Sequence, residues 1–261
     1  MKNSPLEGKV ICITRSLKQA KKSAELVRKR GAIPFLFPVV KQVPVQLTDK
    51  DLNVFKNLNH YEALVFTSAN ALKFFAAAAD KHGVLLDEID AEIACVGPQT
   101  AAAAAELGLN VSFMPDEFVG FSLAEVIKKG LRQGAKILYP RPKKVSHDLK
   151  KELEPLGYQV DELIIYETVP DNSFVDDAVN AFKAKKINAV TFTSGSTVKY
   201  FVELLKGKME LEKVLDEVLV AVIGPSTEKA AQKYGIRVDV VPEEYTFIGM
   251  LDALEKAFRV L

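Results

Sequence analysis

Two halves of this chain repeat one another, and the repeat constrains the fold more than any single motif. Ala63-Leu64-Val65-Phe66-Thr67-Ser68 returns as Ala189-Val190-Thr191-Phe192-Thr193-Ser194, so Thr67 and Thr193 lie 126 residues apart. Val96-Gly97-Pro98-Gln99-Thr100 returns as Ile223-Gly224-Pro225-Ser226-Thr227, with 127 residues from Gly97 to Gly224. The run from Gly8 to Arg15 matches that from Gly134 to Arg141, and Pro115-Asp116-Glu117-Phe118 matches Pro242-Glu243-Glu244-Tyr245. Solenoid repeats are shorter, about 20–50 residues. A period this long is that of a small domain. The pattern predicts two related lobes with a cleft.

Within each half, short apolar, β-branched runs alternate with helical patterns. The first half offers strands at Val10–Thr14, Ile33–Phe37, Ala63–Phe66, Ile93–Val96 and Val111–Phe113. The second offers Lys136–Tyr139, Gln159–Ile164, Ala189–Phe192, Val218–Ile223 and Val238–Val241. Such runs suit strands covered on both faces, and strand–helix alternation predicts parallel sheets with right-handed crossovers. Each lobe is expected to be a doubly wound, flavodoxin-like α/β unit. Ser16 is placed to cap a first helix over Leu17–Lys29 that stops at Gly31. Val39–Val45 and Ile165–Pro170 are extended and punctuated by Pro44 and Pro170. They read either as paired inter-lobe connectors or as surface loops.

Composition narrows the function classes. There are 35 basic and 34 acidic residues, a net charge of +1, which leaves no electrostatic footprint for nucleic acid. No apolar run reaches the length of a membrane span, and the first residues show no signal-peptide pattern. A cytoplasmic protein is expected. Cys12 and Cys95 sit in apolar runs and read as buried strand residues rather than as a disulfide. His60, His82 and His147 share no metal-ligand spacing with cysteines or carboxylates, so no metal is expected. Nucleotide-binding glycine motifs and a Gly-x-Ser-x-Gly elbow are missing. Any catalysis must work mainly by positioning.

In open parallel sheets, ligands bind beyond the carboxyl ends of the strands. The residues expected there are Arg15-Ser16, Thr67-Ser68-Ala69-Asn70, Gly97-Pro98-Gln99-Thr100, Arg141-Pro142-Lys143-Lys144, Thr193-Ser194-Gly195-Ser196-Thr197 and Gly224-Pro225-Ser226-Thr227. Most are small or hydroxylic and open a helix, where unpaired N–H groups and the helix dipole favour an anion. The same residues also make ordinary caps, and both readings stand at this point. One asymmetry breaks the repeat: Tyr166 occupies the position held by Val40 in the other copy. Its phenol either serves a ligand or packs between the lobes.

Taken in order, Phe66-Thr67-Ser68, Gly97-Pro98-Gln99-Thr100, Gly157…Tyr166-Glu167-Thr168, Phe192-Thr193-Ser194 and Gly224-Pro225-Ser226-Thr227 resemble the uroporphyrinogen-III synthases along essentially the whole chain. The resemblance implies two flavodoxin-like lobes on a two-stranded connector, with the N-terminal segment swapped into the C-terminal lobe. Residues 1–38 with 170–261 would form one lobe and 44–166 the other, joined at 39–43 and 167–169. It implies cyclisation of hydroxymethylbilane with inversion of ring D and loss of water. It further implies no cofactor, a monomer, and at most a transient contact with hydroxymethylbilane synthase. Tyr166 matches the family's connector tyrosine, thought to assist departure of the hydroxyl. Arg15, Ser68, Thr100, Ser194 and Thr227 match its loop residues. The loop Arg141–His147 departs from the family's usual Arg-Gly, with Pro142 after the arginine. The competing expectation from another class is a two-lobed binding protein that closes on an anionic small molecule without chemistry.

Overall fold

The structure is a computed structural model, and it describes residues 4–115, 120–145 and 147–260. The repeat segment Asp116–Phe118 and Ser146 lie outside the described residues. The strands are β1 (Val10–Ile13), β2 (Ile33–Leu36), β3 (Val40–Pro44), β4 (Ala63–Phe66), β5 (Glu92–Cys95), β6 (Val111–Phe113), β7 (Lys136–Pro142), β8 (Gln159–Pro170), β9 (Ala189–Phe192) and β10 (Leu219–Val222). The helices are α1 (Leu17–Lys29), α2 (Asp49–Lys56), α3 (Ala69–Lys81), α4 (Pro98–Glu106), α5 (Gly120–Gly130), α6 (Lys150–Leu153), α7 (Val175–Lys183), α8 (Gly195–Leu205), α9 (Leu211–Asp216), α10 (Pro225–Gln232) and α11 (Phe247–Val260).

The chain divides into two compact units. One takes the chain up to Gln42 together with everything from Val169 on; the other is Val43–Thr168. The first unit holds a parallel sheet in the order β10-β9-β1-β2. The second holds the order β3-β8-β7-β4-β5-β6, in which β8, β7, β4, β5 and β6 run parallel.

Strand side chains alternate between two cores, as period-two geometry requires. In the first unit Ile11 and Ile13 pack with Ala20, Ala24 and Val27 of α1 and Met250, Leu251 and Leu254 of α11. Cys12, between them, packs on the other face with Ala178 and Phe182 of α7 and Phe201 and Leu205 of α8. In the second unit Leu64 and Phe66 meet Leu72 and Phe75 of α3, while Ala63 and Val65 meet Ile127 of α5 and Leu153 of α6. Helices therefore cover both faces, which explains why these strands read as continuous apolar runs.

Phe201 is fully buried and lies edge-on to Phe37, Phe182 and Phe192, with ring centroids 5.8, 5.9 and 5.0 Å away. Phe201→Ala is expected to destabilise its unit by about 3–5 kcal/mol. Urea denaturation checks this, and a loss below about 1 kcal/mol would contradict the packing described.

Helix α1 stops as expected at Gly31, whose φ of +78° lies in the left-handed region. Ala32 N–H reaches Val27 O and Gly31 N–H reaches Arg28 O, the two bonds of a Schellman stop. Two expectations need correction. Ser16 stands at the N-cap of α1 but its side chain accepts no helix N–H; its hydroxyl donates to Gln19 Oε1. Val238–Val241 forms no strand; only Val240 bridges to Ala221. The Asp239 carboxylate takes the Val220 N–H at 2.8 Å, displacing a regular ladder bond, and Pro242 follows without a donor of its own.

The segments read as connectors or loops are strands. Asp171 N–H donates to Val39 O and Val45 N–H to Ile165 O, so β3 and β8 run antiparallel. Pro44 and Pro170 are their final residues, where a missing donor costs the ladder nothing. Cys12 and Cys95 are free and buried in separate units.

Candidate active site

In the second unit Phe66 pairs with Cys95 and Val96 N–H donates to Phe66 O, which sets the loops after β4 and β5 side by side. Ser68 is the N-cap of α3, and its Oγ accepts the Ala71 N–H at 3.1 Å. Gly97 is the N-cap of α4, with Pro98 in the first turn. Gln99 is exposed, whereas Thr100 is buried. By helix geometry the N–H groups of Ala69, Asn70 and Gln99 have no intrahelical partner and point outward from the helix start.

Tyr166 enters from β8. Its ring packs within this unit's own core, stacked on Phe74 with centroids 4.9 Å apart and planes 11° from parallel. Its hydroxyl lies 3.4 Å from Ser68 Oγ. Burial raises the phenol's pKa above its ordinary value of 10.0, and the Ser68 contact only partly opposes this. The group therefore stays protonated at neutral pH and can donate a hydrogen bond or a proton.

Beside this hydroxyl lies a cavity of about 310 Å³ lined by Thr67, Ser68, Val96, Tyr139, Pro142, Lys144, Val145, His147, Leu149 and Tyr166. Of the residues expected from sequence, Thr67, Ser68, Pro142, Lys144 and Tyr166 line it. Ala69, Asn70, Gly97, Gln99 and Thr100 stand on the adjoining helix starts. Arg141 turns away: its Nε lies 2.5 Å from Glu162 Oε1, and it donates to Pro142 O at 2.8 Å. Sequence reasoning did not select Tyr139 or His147. The available signal was Tyr139 itself, which replaces the Ile13 of the other copy.

The first unit repeats the arrangement. Val222 pairs with Phe192 and Ile223 N–H donates to Phe192 O, so the loops after β9 and β10 are neighbours. Ser194 caps α8 by accepting the Thr197 N–H, while Thr197 Oγ1 accepts the Ser194 N–H, both at 3.2 Å. That leaves the N–H groups of Gly195 and Ser196 at the helix start, behind Thr193. A Cβ on Gly195 would meet Ala230 Cβ at 3.2 Å, which accounts for glycine there. Gly224 opens α10, with Ser226 exposed and Thr227 buried. Arg15, just past β1, donates to Ser23 Oγ at 3.2 Å and lies over the Phe247 ring. Its Nε is buried without a hydrogen-bond partner, and burial lowers its pKa. A half-buried guanidinium with no carboxylate at hand, among the described residues, favours an incoming anion.

The family model for uroporphyrinogen-III synthase HemD matches residues 21–252. The chain belongs to this family. Family membership makes it an enzyme of porphyrin biosynthesis. It is 28% identical to the uroporphyrinogen-III synthase of Synechococcus elongatus over 99% of both chains. It is 29% identical to the porphyrin biosynthesis protein HemD of Ruminiclostridium josui, of which it spans about half the length (49%). Among solved structures, the uroporphyrinogen-III synthetase of Helicobacter pylori superposes with a TM-score of 0.67 at 18% identity, covering 95% of this chain and 99% of that one. A mutant uroporphyrinogen III synthase from the extremely thermophilic bacterium Thermus thermophilus gives 0.62 at 21%, covering 97% and 100%. These likenesses show the mixed α/β fold with parallel sheets. Among the described residues no helix is long and apolar enough to cross a membrane, and no His, Cys, Asp or Glu cluster is placed to hold a metal ion.

The buried phenols predict an alkaline limit. Tyr139 and Tyr166 are raised above 10.0 in the folded chain, each first by burial. Tyr61 is raised as well, by burial and by its hydrogen bond to Asp161, and so is Tyr158, by burial. The unfolded chain releases these protons at lower pH than the folded one. Their contribution to stability is complete below pH about 10 and is lost as pH rises towards the folded values. Absorbance titration of tyrosinate is expected to show four late phenols that ionise together with unfolding. Titration of all seven tyrosines at the ordinary value, with the fold intact, would contradict this.

Proposed function

We propose that the chain cyclises hydroxymethylbilane to uroporphyrinogen III, inverting ring D and releasing water, and that Tyr166 assists departure of the hydroxyl. The observation that carries the reading is the protonated Tyr166 phenol held beside Ser68 on a small cavity at the carboxyl end of a parallel sheet. Loss of the hydroxyl leaves an azafulvene cation. Attack by the substituted carbon of ring D gives a spiro intermediate, which opens and recloses as the inverted isomer. Because the substrate closes spontaneously without inversion, the enzyme's task is to hold one shape of a flexible polycarboxylate.

The helix-opening loops suit that task. Ser68, Ala69, Asn70, Gly97, Gln99 and Thr100 would bind acetate and propionate groups in one unit. Arg15, Thr193, Ser194, Gly195, Ser196, Gly224, Ser226 and Thr227 would do so in the other. Arg141 is the weakest member of the set, since Glu162 already neutralises it.

The same reading takes the units as flavodoxin-like lobes, 1–38 with 170–261 and 44–166, joined at 39–43 and 167–169 by the paired strands. It takes the N-terminal segment as exchanged into the C-terminal lobe. The sheet orders support this, because the pair β1-β2 joins β9 through β1, while β7 and β8 join β4 through β7. The enzyme would act in the cytoplasm as a monomer without a cofactor, meeting hydroxymethylbilane synthase at most transiently. Isomer analysis of the product tests the activity: isomer III supports it, and isomer I alone at the enzyme-free rate leaves a binding protein for an anionic small molecule.

A further inference from the structure

The cavity beside Tyr166 holds a second phenol. Tyr139 lies in β7, and its ring is buried on the opposite face of the sheet from that of Tyr166. Both rings reach the end of β4, where consecutive side chains point to opposite faces. Tyr139 Oη therefore meets Thr67 Oγ1 at 3.4 Å, and Tyr166 Oη meets Ser68 Oγ at 3.4 Å. Four hydroxyls line one cavity.

Packing alone does not ask for the Tyr139 hydroxyl. The matching residue of the repeat is Ile13, which is fully buried in an equivalent strand. The fold accepts an aliphatic side chain at this position, whereas a buried hydroxyl is costly unless it finds a good partner. Its partner here is at the outer edge of hydrogen-bond range, so the Tyr139 and Thr67 hydroxyls keep bonding capacity for a ligand. Lys144 also lines the cavity and has no ion-pair partner among the described residues. A neutral donor pair with a nearby ammonium is suited to a carboxylate. A cavity of about 310 Å³ is at the small end for ligand sites and fits one substituted ring rather than a whole linear tetrapyrrole.

We propose that Tyr139 and Thr67 contact the carboxylate-bearing terminal ring of the substrate and determine which of its carbons attacks. The inference rests on the synthase reading above. Within that reading it separates two tasks: the Tyr166 side of the cavity assists loss of the hydroxyl, and the Tyr139 side steers closure.

The test compares wild type, Tyr139→Phe and Thr67→Val with freshly made hydroxymethylbilane, measuring the rates of isomer I and isomer III against an enzyme-free control. Phe keeps the buried ring, and Thr67→Val removes the other half of the pair should the first variant fail to fold. Either variant is expected to form isomer I about tenfold faster than the control, because the hydroxyl still leaves while steering is lost. Variants whose enzymatic product is isomer III alone, at whatever rate, would overturn the proposal, since a merely structural hydroxyl changes rate or stability but not the carbon that attacks. A wild-type protein that makes no isomer III would instead overturn the synthase reading.

Discussion

Tyr166→Phe is expected to lower turnover by about a hundredfold, the lower end of what a positioned proton donor contributes. The substitution removes one oxygen and little else. Its ring would keep the stack on Phe74, and the lost contact to Ser68 is a long one at 3.4 Å. Thermal stability should therefore remain close to wild type, and the effect should fall on kcat rather than KM. The proton is available because burial holds the phenol in its neutral form. Turnover measured at early times, before spontaneous closure contributes, checks this. Wild-type turnover in the variant would remove Tyr166 from the chemistry and leave the stacked ring as a core residue.

Arg15→Met is expected to move binding and stability in opposite directions. The guanidinium is half-buried, and its Nε lacks a partner. Burial disfavours its charged form, so the fold carries a cost for keeping it there. Methionine keeps an apolar stem of similar reach, gives up the guanidinium's place over the Phe247 ring and removes that cost, so the variant should be as stable as wild type or more so. If the site exists for a substrate carboxylate, its loss removes a charge-assisted hydrogen bond worth about 1.5–3 kcal/mol, and KM should rise roughly 10- to 100-fold. Steady-state kinetics together with a melting curve read both effects. A less stable variant with unchanged KM would make Arg15 a structural residue held by Ser23 and Phe247.

Much of the architecture was legible because of how the strands are buried. Residues such as Val10–Ile13 and Ala63–Phe66 are covered on both faces, which requires a continuous apolar run, and a period of 126 residues displays each run twice. Edges were less legible. Val238–Val241 has the composition of a strand, yet the Asp239 carboxylate captures a ladder donor and leaves one bridge. Ser16 has the identity of a cap, yet its side chain accepts no helix N–H and its hydroxyl donates to Gln19 instead. The order of strands was not contained in the period either. Periodicity suggests consecutive lobes, whereas β1, with β2 on its other side, stands beside β9, more than 150 residues later in the chain.

The site was legible in part for a similar reason. Small and hydroxylic residues after strands announce helix starts, and Ser68 and Ser194 are caps in fact. Arg141 was misleading because a charged residue's partner depends on register, and β8 brings Glu162 to it. Tyr139 was overlooked because a tyrosine inside an apolar strand reads as core. Its ring is core, but its hydroxyl lines the cavity at the strand's end. Comparing the two copies residue by residue, rather than motif by motif, exposes both phenols at once: Tyr139 against Ile13 and Tyr166 against Val40.

The most direct test of the account is the isomer composition formed from freshly generated hydroxymethylbilane as the amount of wild-type protein is increased. The products are oxidised and separated by chromatography. The account predicts that the fraction of isomer III climbs with protein until isomer I from spontaneous closure is suppressed. A composition that stays at isomer I, formed at the enzyme-free rate at every protein concentration, would contradict it.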